Sequence, residues 1–170
     1  MTRQDQIYKW FIYALGLLPI WILDSFLLGR YPLYGTKPLL LLLAVVSVSV
    51  LEGATAGSRF GLAVGLLWEL GYAGGSGGMI LFLVLVGAVA GSAAQYALTQ
   101  GFLGSFLCSA VAMAALELLR IFLGVFTQKA ALTVLLEVAT KEFLWTLVWT
   151  PLVYLVFQQI FQKVGLDKLA

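Results

Sequence analysis

Between Glu52 and Glu69 the chain reads EGATAGSRFGLAVGLLWE, with glycine at Gly53, Gly57, Gly61 and Gly65 and Glu69 next in the same four-residue row. In a helix, residues four apart form one ridge winding slowly round the axis. A ridge without side chains lets a second helix approach backbone to backbone. Each glycine costs about 1 kcal/mol relative to alanine in a helix interior. Four in register therefore imply close packing that recovers the loss. A second small-residue face follows in GAVAG, where Gly87 and Gly91 are four apart among alanines. The two faces are expected to meet.

The apolar load decides the class. Of 170 residues, 62% are hydrophobic and 11% charged, against about 45–50% and 25% in soluble domains. The expected fold is an all-α integral membrane protein, one compact bundle of six transmembrane helices. The expected spans are Trp10 to Leu28, Pro38 to Leu51, Gly57 to Tyr72, Gly78 to Leu98, Phe102 to Val125 and Phe143 to Phe161. The first reads as an uncleaved span, being long for a signal-peptide core and lacking a small-x-small cleavage site. Pro19 and Pro151 are expected to kink their helices. The second span is short, about 21 Å against a hydrocarbon core of roughly 30 Å. With the third it reads as a hairpin shielded by other helices. Thr127 to Glu142 is amphipathic and reads as a helix lying in the interface.

Charges inside such a chain are costly and informative. Asp24 reads first as an interfacial acid reaching water, with a buried functional acid as the alternative. Glu52, Arg59 and Glu69 flank or interrupt the glycine hairpin. Glu117 and Arg120 are three apart on one helix face. They either satisfy each other or reach Arg59 or Glu69.

Net charge is +2 and histidine is absent, so nothing points to nucleic acid, and the commonest general base is missing. Cys108 is the one cysteine, which excludes an internal disulfide and the usual zinc ligand sets. No nucleophile–base pair, phosphate loop or metal-ligand cluster stands out, so no cofactor is expected and binding or scaffolding is favoured over catalysis. Arg3, Lys9, Arg59, Lys163 and Lys168 fall on the side of the N-terminus, and Arg30, Lys37, Lys129 and Lys141 on the other. That bias leans to an inside N-terminus.

The order of these features resembles the rod shape-determining MreD family of bacteria. It comprises a proline-bearing first span, a tyrosine- and proline-rich loop, KPLLLLLAVVSVSVLEG, AGSRFGLAVGLLWEL, a glycine-rich turn and LVGAVAG. The matching positions are Pro38, Glu52, Gly53, Gly57, Gly61, Gly65, Glu69, Gly87 and Gly91, with Pro151 and Tyr154 in the last span. Glu69 stands where the family commonly has Asp, and Glu117 and Arg120 have no close match.

The resemblance implies a non-catalytic component of the cell-elongation machinery in the bacterial cytoplasmic membrane. It would bind MreC and connect MreB filaments to the peptidoglycan synthase RodA and its penicillin-binding partner. It also implies a fold similar to the substrate-binding subunits of energy-coupling-factor vitamin transporters, which supply the alternative function. Against that alternative, the loops after spans three and four are short, and no histidine supports metal capture.

Overall fold

A computed structural model describes residues 3–28, 36–71, 77–96, 101–127 and 132–166. Among these, six α-helices follow one another: α1 (Arg3–Ile22), α2 (Leu40–Glu52), α3 (Ala54–Gly71), α4 (Gly78–Tyr96), α5 (Phe102–Phe126) and α6 (Leu132–Leu166). A π-helical segment, Leu23–Leu28, prolongs α1. It begins four residues past Pro19, which α1 carries inside its length.

The segments Ile7–Phe26, Gly78–Tyr96, Phe102–Phe126 and Leu132–Lys163 are long and apolar enough to cross a membrane. The expectation of six spans is met only in part. α2 has 13 residues, about 20 Å of helix, and is too short by itself. α3 carries Arg59 and Glu69, and its apolar run is not sustained.

α2 is the centre of the molecule. Every residue from Leu40 to Val50 is buried. A helix apolar on all sides has no solvent face and must be enclosed. The enclosure is made by α1, α3, α4, α5 and α6, all of which contact it. Tyr13 of α1, Phe60 of α3 and Phe157 of α6 meet as a ring cluster. Tyr13 stacks on Phe157 at 6.2 Å between centroids, and Phe60 stands edge-on to Phe157 at 5.8 Å.

Gly53 alone separates α2 from α3. Its φ is 93°, a left-handed conformation that side chains disfavour. Its N–H closes α2 on the Ser49 carbonyl at 2.8 Å. α3 then packs antiparallel against α4 along the glycine row. A Cβ on Gly57 would lie 2.7 Å from the Gly87 carbonyl oxygen, and one on Gly65 would lie 2.7 Å from the Ile80 Cα. A Cβ on Gly61 would run into the Leu83 carbonyl, and one on Gly91 into the backbone of Gly53 and Ala54.

The amphipathic segment before span six is not a separate interfacial helix. α6 runs unbroken for 35 residues, about 52 Å. Neither Gly nor Pro interrupts it between Leu132 and Thr150. Among its buried residues, Ala139, Glu142, Thr146, Thr150, Val153 and Phe157 form one stripe at spacings of three and four. The core-facing stripe thus begins in the segment that composition alone assigns to the interface.

Candidate functional site

The polar groups gather at opposite ends of the bundle. At the end holding the start of α1, Lys9 pairs with Glu52, and the Tyr13 hydroxyl donates to the same carboxylate at 2.9 Å. Gln95 of α4 lies against Gly53 here. Glu52, the last residue of α2, is thereby tied to α1 beside the Gly53 turn.

The other end carries more charge. Arg120 on α5 reaches Glu142 on α6 at 2.9 Å and Glu117 on its own helix at 3.2 Å. Glu117 and Glu142 are buried, while the Arg120 side chain is 39% exposed. A half-exposed guanidinium is fit for this bridging position, because its planar fork serves two carboxylates and is weakly hydrated. Thr146, one turn below Glu142, accepts a hydrogen bond from the Leu39 N–H at 3.2 Å, which satisfies an amide at the open start of α2. Lys37, just ahead of α2, lies 5.7 Å from the Trp68 ring centroid. Burial pushes the Lys37 ammonium below its ordinary pKa, opposed by the nearby charges of Asp24 and Glu142.

Several expectations change here. Asp24 does not reach water; it is 1% exposed. It continues the buried stripe that Tyr13, Leu17 and Ile20 form along α1 at spacings of three and four. Glu117 and Arg120 do pair, but Arg120 extends to Glu142 and not to Glu69. Glu69 accepts the Gly77 N–H at 3.0 Å and so braces the turn into α4. Arg59 is exposed. The residues that sequence reasoning missed are Lys9, Lys37, Glu142 and Thr146. The signal for Glu142 and Thr146 was their place on the stripe of α6.

The glycines are consumed inside the molecule. Gly57, Gly61, Gly65, Gly87 and Gly91 face the α3–α4 seam, and Gly53 makes the turn. An open apolar surface lies elsewhere. α4 and α5 diverge around an apolar groove of about 480 Å³, lined by Phe82, Val86 and Ala90 on one side and Cys108, Val111 and Ala112 on the other. Among the described residues, no group of three His, Cys, Asp or Glu could hold a metal ion. No family model, curated protein or solved structure matches the chain.

Proposed function

We propose that this chain is a non-catalytic membrane scaffold of the MreD kind, crossing the bacterial cytoplasmic membrane six times with its N-terminus inside. In that role it binds MreC and couples MreB to RodA and its penicillin-binding partner. The observation that carries the reading is the α2–Gly53–α3–α4 unit. The positions on which the resemblance rests are the ones that build this unit: Gly53 as the turn, and Gly57, Gly61, Gly65, Gly87 and Gly91 as the seam. In this reading the enclosed α2 is an inner crossing protected from lipid by its neighbours, and α3 crosses beside it with Arg59, Leu62 and Leu66 on its outer face. The apolar α4–α5 groove is the face on which a partner's single helix would pack.

The charged corner at the buried Asp24 and Glu142 and the half-buried Lys37 favours a second reading, a substrate-binding subunit of an energy-coupling-factor transporter. A tagged pull-down from native membranes, with partners identified by mass spectrometry, separates the two. The scaffold reading expects a single-span protein with a large extracytoplasmic part, together with a cell-wall synthase. Recovery of two ATP-binding subunits with a coupling protein transfers the assignment to the transporter. Recovery of neither set removes support from both.

A further inference from the structure

α4 and α5 are both long and apolar enough to cross a membrane, and the groove of about 480 Å³ lies between them. Ala90, Cys108 and Ala112 are buried and form its floor, while the exposed Val89, Leu107 and Val111 form its rims. Cys108 supplies the one polar atom among the lining side chains, and its thiol is turned to the Ala90 carbonyl at 4.0 Å. The two helices thus meet across the floor. No side-chain donor or acceptor is left in the groove to orient a polar ligand, as ligand pockets ordinarily require.

The dimensions then choose among apolar occupants. On α4 the lining runs from Phe82 to Ala93, about 17 Å of helix. A volume of about 480 Å³ over that length is a channel of roughly 30 Å² in cross-section. A helix with its side chains is about 10–12 Å across, roughly 80 Å² or more. A helix can therefore lay a row of side chains along the rims, but it cannot enter. A hydrocarbon chain can. A methylene needs about the room of a water molecule, roughly 30 Å³, so the space holds a chain of about sixteen carbons.

We propose that the groove seats one phospholipid acyl chain, held between α4 and α5 as part of the molecule's own packing. The lining starts at Phe82, one turn inside α4, so the headgroup stays outside and chain length, not headgroup, decides what fits. Bilayer tails are as apolar as the groove, so burial from water does not distinguish this chain from its neighbours. Shape does. A tail in a channel one chain wide touches two walls and a floor, and fills a gap whose lining would otherwise lack those dispersion contacts. The inference goes beyond the scaffold reading and does not depend on it. In that reading a partner's helix packs over the same rims, with the tail beneath it.

The test uses the full chain reconstituted alone in vesicles of phosphatidylethanolamine and phosphatidylglycerol. A small fraction of the phosphatidylethanolamine carries a diazirine in a palmitoyl-length chain. After illumination, peptide mass spectrometry is expected to find adducts on the groove residues at fivefold or more the density on the exposed Leu15 of α1 and Leu155 of α6. Ala93→Leu with Ala115→Leu fills the groove from both helices and should bring its density down to theirs. Val148→Leu, at an exposed position of α6, should leave the pattern unchanged. Should the double variant not fold, Val111→Trp at the exposed rim decides by the same reading. The proposal is overturned if adducts spread evenly over the exposed apolar surface, the mark of ordinary surrounding lipid. It is equally overturned if groove adducts persist in whichever of these variants folds. If the reconstituted groove takes no lipid, while benzoylphenylalanine in place of Val111 captures a single-span protein in native membranes, the groove belongs to the partner's helix. The tail is then overturned and the scaffold reading stands.

Discussion

Gly57 and Gly87 meet backbone to backbone: a Cβ on Gly57 would stand 2.7 Å from the Gly87 carbonyl oxygen. Real Cβ atoms do not approach that closely, and the obstacle is main chain, which cannot swing aside. The same holds one turn along, where a side chain at Gly61 meets the Leu83 carbonyl. Gly61→Leu is therefore expected to separate α3 from α4. Overpacking alone costs about 1–3 kcal/mol, and the loss of the seam adds to it. Thermal unfolding in detergent and the amount of protein in membranes check this. Gly101→Ala is the control, since open space surrounds Gly101; it should unfold within a degree or two of the parent. A Gly61→Leu protein with the parent's unfolding temperature would remove the seam from the account.

Gly53 is constrained twice, by its φ of 93° and by Gln95 packed against it. Gly53→Ala should lower stability by about 1–2 kcal/mol from the backbone conformation alone. Adding Gln95→Ala clears the space but leaves φ unchanged, so the double variant should recover only part of the loss. Full recovery would mean that the side-chain clash, and not the turn, sets the requirement for glycine.

Arg120 serves two buried carboxylates. Removing it in Arg120→Met strands Glu117 and Glu142 together. Breaking a buried pair costs about 3–5 kcal/mol; with Arg120 39% exposed, about 2 kcal/mol is a fairer figure. Arg120→Met with Glu142→Gln removes one of the stranded charges and should regain a good part of it. A double-variant cycle on unfolding temperature reads the coupling. Strict additivity would show that the α5–α6 bridge contributes nothing.

Tyr13→Phe removes one donor from Glu52 and leaves the ring stack with Phe157. Glu52 keeps Lys9, so the loss should be near 1 kcal/mol. Lys9→Met should cost more than Tyr13→Phe, because it removes the counter-charge. The reverse order in thermal unfolding would assign the anchoring of Glu52 to the hydroxyl.

Much of the fold is legible in the residues. A short, strongly apolar α2 and a four-residue glycine row point to an enclosed helix and a backbone seam, because burial and close approach are both written in side-chain size. The charged corner was harder to read. Asp24 has the sequence neighbourhood of an interfacial acid, yet it falls in register with the buried Tyr13, Leu17 and Ile20 of α1, a face that only the packing of α1 on the bundle identifies. Glu142 sits in a run with Lys129, Glu137 and Lys141 that composition assigns to a surface. Its partner Arg120 is 22 residues away on another helix, and a spacing of that length carries no periodic signal. Long-range pairing of charges depends on how helices are rotated, which apolar periodicity fixes only to within a face.

The enclosure of α2 has a bearing on how the molecule is made. A helix of about 20 Å with no lipid-facing side is a poor resident of a bilayer on its own. It cannot be set in place last, because the ring around it would already be shut. By this geometry a nascent α2–α3–α4 core forms first and the later helices close round it, with the Arg120–Glu142 bridge between α5 and α6 as the final clasp. Truncations that stop before α6 should accordingly be degraded, whereas point changes at the clasp should slow maturation more than they reduce the yield of finished protein.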